Sequence, residues 1–265
     1  MGKVLLVGCG KMGGAILEGW LSHGHETSEV VVAEPVEAIW PEKPGLRVVA
    51  SSSAVSETPD TVVLAVKPQL MDAVLPDLKR FADQGAVFLS IAAGKTLLYF
   101  AHHLGAHAKV VRSMPNTPAA VRQGISVATA APGVSEAEKR RCHEMLEAVG
   151  QVLWVEDEAL MDPVTALSGS GPAYVFLLVE AMAAAGAKLG LSAEMAMQLA
   201  RATVTGSGEL LRQSAEPAAQ LRVNVTSPGG TTAAALKVLM ADDGIQRVFD
   251  KALAAASHRS QELAA

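Results

Sequence analysis

Over residues 1–158, short apolar runs rich in Val, Leu and Ile alternate with longer stretches whose apolar positions recur at helical spacing. The runs fall at 4–7, 30–33, 62–66, 86–91, 109–112, 125–129 and 152–155, with a weaker one at 47–50. Most are continuous and not alternating, the pattern of strands covered on both faces. Helices are predicted between them at 11–23, 71–82, 97–104 and 135–149. The last opens on Ser135 with Glu138 three residues on, the spacing of a capping box. Strands alternating with helices predict a parallel, doubly wound α/β sheet.

Beyond residue 158 the strand signal stops. Ala, Leu, Met, Glu and Gln form a helix-favouring mixture, broken by Pro163, Gly171-Pro172, Gly190, Pro217 and Pro228-Gly229-Gly230 into about five helices. Two domains are expected, at 1–158 and 159–265. Aromatic residues make up only 4% of the chain, so the helices must approach one another through small side chains. An alanine-rich helix such as 181–188 buries little area alone and makes more sense in a subunit interface. The long apolar stretch 173–191 contains Glu180 and Lys188, and a helix buried against protein explains it better than a membrane span.

Composition narrows the function classes. With 50% hydrophobic and 18% charged residues, the chain is not disordered. A net charge of −5 and the absence of a basic block make nucleic acid and anionic membranes poor partners. Cys9 and Cys142 are the two cysteines, too few for a disulfide framework or a cysteine-based metal site, so a reducing, cytoplasmic home is expected. The apolar run at 4–7 is too short for a signal-peptide core, and Leu6 stands where N-myristoylation needs Ser or Thr. His103 and His107 have Gly105 between them and no carboxylate nearby in sequence, so no metal site is expected. His23 and His25 are expected to end a helix.

Residues 4–14 read V-L-L-V-G-C-G-K-M-G-G. Gly8, Gly10 and Gly13 form G-x-G-x-x-G directly after a strand and at the mouth of a helix, the setting in which such glycines bind a dinucleotide. Gly8 permits the tight turn, Gly10 lets the backbone approach the pyrophosphate, and Gly13 lets helix and strand pack closely. The helix N-terminus offers N–H groups and the positive end of its dipole to the phosphates. The second strand ends at Glu34, where an acidic group meets the ribose hydroxyls and would repel a 2′-phosphate, a lean toward NADH over NADPH. Cys9 reads as a small filler within the turn. The segments A-V-K-P-Q at 65–69, S-I-A-A-G at 90–94 and R-S-M-P-N-T-P at 112–118 lie at further strand ends, where ligands sit in open α/β sheets. For Lys67 and Arg112, a solvated charge at a strand end and a ligand contact stand as equal readings.

A second glycine turn, V-T-S-P-G-G-T-T at 225–232, precedes a helical stretch. The N–H groups of Gly230, Thr231 and Thr232, with the hydroxyls of Ser227 and Thr232, suit a small carboxylate; an ordinary N-cap is the other reading. L-S-G-S-G-P at 167–172 reads better as a closely packed helix–helix turn than as a pocket wall.

Taken in order, G-C-G-K-M-G-G-A at 8–15, A-V-K-P-Q, S-I-A-A-G, R-S-M-P-N-T-P, L-S-G-S-G-P-A-Y at 167–174 and N-V-T-S-P-G-G-T-T at 224–232 resemble the motifs of pyrroline-5-carboxylate reductases. The resemblance covers nearly the whole chain. It implies reduction of the cyclic imine 1-pyrroline-5-carboxylate to L-proline with NADPH or NADH, the last step of proline synthesis. It also implies an N-terminal Rossmann-like doubly wound sheet and an all-α C-terminal dimerisation domain, in a homodimer or larger ring. Carried over by motif, the glycine turn (Gly8, Cys9, Gly10, Lys11, Met12 and Gly13) would contact the cofactor together with Glu34. So would Ser52, in the S-S-S at 51–53 that replaces the family's frequent Asn, then Ala65, Val66, Lys67 and Pro68, then Ala92, Ala93 and Gly94, and finally Asn116 and Asn224. Ser227, Gly229, Gly230, Thr231 and Thr232 would hold the substrate. Glu34 itself departs from the small or basic residue of many NADPH-using relatives.

A protonated iminium accepts hydride far better than a neutral imine. The site must therefore fix the carboxylate and orient the C=N bond, and such orientation lowers the barrier by several kcal/mol. By analogy with the family, Thr232 would bond the ring nitrogen while Ser227 and the loop amides hold the carboxylate. Thr is too weak an acid to protonate the imine unaided, so Ser227 and Thr232 are expected to orient or relay. Glu156, Asp157, Glu158 and Glu216 are all candidates for an acidic group near the substrate. A β-hydroxyacid dehydrogenase would instead need a catalytic lysine in the helical half; Lys188, Lys237 and Lys251 sit in no glycine-flanked motif. A non-catalytic NAD(P)H-sensing module would not need the hydroxyls of Ser227 and Thr232.

Overall fold

The computed structural model describes residues 2–35 and 43–264. The chain forms two compact units: one runs up to Ser170 and includes the segment from Ala256 onward, the other is Gly171–Ala255.

The first unit is built on β1 (Val4–Val7), β2 (Val30–Ala33), β3 (Arg47–Val49), β4 (Thr61–Leu64), β5 (Val87–Ser90), β6 (Lys109–Met114), β7 (Gly124–Ala130) and β8 (Gly150–Trp154). They form one sheet in the order β3-β2-β1-β4-β5-β6-β7-β8. The direction of winding reverses between β1 and β4, the topological switch point of a doubly wound fold. β1, β2, β4 and β5 are buried along their whole length or nearly so, as their continuous apolar runs predict. Alternate side chains of β1 go to opposite faces. Val4 and Leu6 pack with Ile16 and Trp20 of α1 (Lys11–Ser22). Leu5 and Val7 pack with Leu75 and Phe81 of α2 (Met71–Asp83) and Phe100 of α3 (Leu97–Leu104). Burial of each such side chain contributes roughly 1.5–3 kcal/mol.

The sheet is not wholly parallel. β6 and β7 run antiparallel, because residues 115–123 are too few for a crossover helix and fold into a 3₁₀ turn, Thr117–Val121. α4 (Glu136–Glu147) carries the predicted capping box, with Ser135 Oγ accepting the Glu138 N–H and Glu138 Oε2 accepting the Ser135 N–H. His23 caps the end of α1, its Nδ1 2.8 Å from the Gly19 carbonyl.

After α5 (Met161–Val164), the residues expected to form a helix–helix turn instead form a π turn, Thr165–Gly169, closed by Ser170 N–H donating to Thr165 O. The space a Cβ would need on Gly169 is taken by the Met114 side chain, so close packing does account for this glycine.

The second unit contains α6 (Gly171–Lys188), α7 (Ala193–Gln213), α8 (Ala218–Asn224), α9 (Thr231–Leu239) and the start of α10 (Ile245–Ala264), whose last turns belong to the first unit. α6 and α7 meet through Ala183, Ala196 and Ala200. With alanines facing inward, large apolar side chains are left outside: Phe176 is 63% exposed and Leu177 62%. The stretch Glu158–Lys188 has the length of a membrane-crossing helix, and an apolar window of 18 residues within it has such a helix's mean hydropathy, 1.3. The expectation that it is buried against protein fails within one chain, where only 6% of its apolar window is buried.

Candidate functional site

Strands β1 to β6 are parallel, so their carboxyl ends share one edge, and the residues singled out in the first unit collect there. Gly8 N–H donates to Ala33 O, Ala65 N–H to Val7 O, Glu34 N–H to Val49 O and Ile91 N–H to Leu64 O. These bonds join the loop after each strand to the neighbouring strand's end.

The three glycines of the turn do different work. Gly8 has φ +88°, and an added Cβ would lie 2.7 Å from Val66 N. On Gly13 it would lie 2.5 Å from Gly8 O and 3.1 Å from Ala65 Cβ, so only glycine lets α1 start this close to β1 and β4. On Gly10 it would meet none of the described residues within 4 Å. Gly10 is also the N-cap of α1, without a side-chain cap and with no acidic residue in the first turn. Open space above a helix N-terminus flanked by Lys11 and Met12 fits a pyrophosphate.

Glu34 Oε2 accepts the Cys9 N–H at 2.8 Å, so the carboxylate stands against the glycine turn itself. Cys9 is buried; burial first and the Glu34 carboxylate second push its thiol up to about 12, and burial pushes Cys142 to about 12 as well. Both are neutral at pH 7, which agrees with Cys9 as filler.

The other loops divide. Lys67 is exposed. Arg112 is not a solvated charge: it is 4% exposed, and its Nη1 lies 2.7 Å from Glu158 Oε1. Ser52 is buried at the start of a 3₁₀ turn after β3, and its carbonyl accepts from Arg80 Nη2. Asn116 Oδ1 accepts the Ile125 N–H and so ties down the β6–β7 connection. Ala93 is exposed while Ala92 is buried. Gly94 has φ +75°, and a Cβ there would come 3.1 Å from Leu263 O, so the end of α10 also accounts for this glycine. Ser260, nearby on α10, donates to Asp162 Oδ1 at 2.6 Å. Sequence reading missed this return of the C-terminus, since a contact between residues 94 and 263 has no local signature.

In the second unit, Gly229 has φ +73° and Gly230 is the N-cap of α9, again without a side-chain cap. The hydroxyls of Ser227 and Thr232 have no hydrogen-bond partner among the described residues, so neither is used to cap the helix. One expectation is corrected: the Gly230 N–H donates to Ser227 O at 3.0 Å, closing the turn, and is not free for an anion. Thr231 and Thr232 remain at the first positions of the helix, where N–H groups have no intrahelical acceptor. Asn224 is held by two neighbours, its Nδ2 donating to Glu216 and its Oδ1 accepting from Gln220. Of the acidic candidates, Glu158 is paired with Arg112 and Glu216 with Asn224.

Comparison with known proteins matches residues 158–263 to the family model for pyrroline-5-carboxylate reductase dimerisation, and residues 3–94 to that for coenzyme F420-dependent NADP oxidoreductases. A pyrroline-5-carboxylate reductase from Pseudomonas aeruginosa is 41% identical over 99% of this chain and 97% of its own. The chain belongs to the pyrroline-5-carboxylate reductase family. Among solved structures, the reductase from Coxiella burnetii matches with a TM-score of 0.93 at 35% identity, covering 100% of this chain and 99% of that one. The Plasmodium falciparum enzyme, solved with NADP bound, matches with a TM-score of 0.85 at 30% identity, over 99% and 98%. The dimerisation match begins at Glu158 and spans the region where large apolar side chains lie exposed.

Proposed function

We propose that this chain reduces 1-pyrroline-5-carboxylate to L-proline with a nicotinamide dinucleotide, as a cytoplasmic homodimer or larger ring. Family membership over the full length carries the reading; the cradle at Gly10 and the hydroxyls of Ser227 and Thr232, which are open and without a partner among the described residues, support it. When bound, the dinucleotide supplies the hydride. Gly8 to Gly13 would hold its pyrophosphate on the N-terminus of α1, and the loops at 65–68 and 92–94 would contact it as well. Ser227 and the amides of Thr231 and Thr232 hold the substrate carboxylate, and the Thr232 hydroxyl bonds the ring nitrogen. The test measures oxidation of NADH and NADPH with pyrroline-5-carboxylate, beside a panel of 3-hydroxy acids with NAD(P)+. Turnover confined to the hydroxy acids, or absent throughout, would refute the assignment.

NADH is the preferred donor in this reading, since Glu34 stands against the glycine turn and repels a 2′-phosphate. Glu34→Ser is expected to shift the ratio of kcat/KM for NADPH over NADH upward by about tenfold, ~1.4 kcal/mol. An unchanged ratio removes Glu34 from cofactor choice.

The exposed side chains of α6 are taken to meet a second copy. Phe176→Glu puts a charge into that apolar face and is expected to weaken self-association by about 100-fold. Sedimentation equilibrium reads the change; a dimer as tight as wild type places the interface elsewhere.

A further inference from the structure

We propose that Glu158 is a positioning residue for the dinucleotide, acting through the segment 92–94. The inference rests on the reading above that this segment contacts the cofactor. β5 ends at Ser90 and α3 begins at Leu97, so residues 91–96 are a short bridge fixed at both ends. At its start, Ile91 N–H donates to Leu64 O. At its finish, Leu97 N–H donates to Glu158 Oε1 at 2.8 Å.

That amide is the first of α3, one of the helix-end donors that no intrahelical acceptor satisfies. The N-cap Thr96 hydroxyl serves Tyr99 N–H instead. Glu158 therefore supplies the acceptor, and a carboxylate at a helix N-terminus is favoured by the dipole. The same oxygen takes the Arg112 guanidinium of β6. With its side chain only 5% exposed, Arg112 has little water to replace Glu158, so the carboxylate is held where the Leu97 amide finds it. One oxygen thus joins β6, the start of α3 and the first residue of the dimerisation match.

Leu97→Pro removes the donor and sets its ring Cδ where the Glu158 oxygen lies, so it breaks this junction outright; proline otherwise suits the first helical position, and Thr96 already has the extended backbone that precedes a proline (φ −83°, ψ 164°). Leu97→Ala loses the same side chain and keeps the N–H. The dinucleotide Kd of Leu97→Pro, read by fluorescence titration, is expected to rise about tenfold over that of Leu97→Ala. KM for the imine should stay within about twofold, because the substrate turn is untouched. As an independent pair, Arg112→Met/Glu158→Gln keeps an acceptor for Leu97 N–H and Arg112→Met/Glu158→Met does not, while neither leaves an unpaired buried charge. The Met/Gln variant should bind dinucleotide more tightly, by a similar factor. Equal Kd values within either pair overturn the role of Glu158, as does a loss shared equally by dinucleotide Kd and imine KM. Ala93→Glu separates this from the underlying reading: if it leaves dinucleotide affinity unchanged, the segment does not touch the cofactor at all.

Discussion

Thr232→Ala lowers kcat/KM for the imine by about 10- to 100-fold while leaving dinucleotide affinity within about twofold of wild type. The expectation follows from where the hydroxyl stands. Thr232 is half-buried in the first turn of α9, behind an N-cap that has no side chain to offer. Its hydroxyl serves no bond among the described residues, so deleting it removes nothing that holds the turn together. A hydrogen bond made at the reacting nitrogen is worth most where charge is greatest, so the loss falls on kcat/KM. Thr232→Ser keeps the hydroxyl and should recover most of the activity. Initial-rate kinetics and a fluorescence titration of the nucleotide decide the matter; parallel loss of cofactor binding would make Thr232 a structural residue.

Gly13→Val and Gly10→Ala should separate packing from ligand contact within one motif. A side chain on Gly13 collides with the Gly8 carbonyl and crowds Ala65, both backed by the central strands, so α1 must move. Overpacking of this kind costs about 3 kcal/mol, or roughly 6–12 °C in Tm. Dinucleotide affinity falls with it, because the helix N-terminus is displaced. Gly10 has φ −67° and open space around its Cβ position. Alanine is therefore tolerated in the fold, and Tm should change by less than about 2 °C. Dinucleotide binding should still weaken by about tenfold, since the methyl group occupies the cradle. A Gly10→Ala protein that binds nucleotide like wild type would take the pyrophosphate away from this turn.

Much of this was legible in the chain because its causes are local. The apolar runs mark strands since a strand covered on both faces has no polar side to show, and Ser135 with Glu138 marks a helix start since the cap closes within four residues. The tight turn at Gly8, with φ +88°, was readable for the same reason. The antiparallel β7 was not foreseen, though the short connection at 115–123 is the signal that reveals it. The alanine content of residues 181–188 pointed to a subunit interface; the dimerisation family model covers that stretch, and one chain leaves Phe176 and Leu177 on the same helix uncovered.

What the sequence determined by itself was the order of elements, the glycine turns and the family, all set by neighbours a few residues apart. Tertiary structure alone decided that Arg112 is buried against Glu158, that Glu34 takes the Cys9 amide, and that Leu263 fills the space beside Gly94. The physical reason is range. Whether a charge is solvated or paired depends on which distant segment excludes water from it, and residues 112 and 158, or 94 and 263, become neighbours only when the sheet and the last helix have folded.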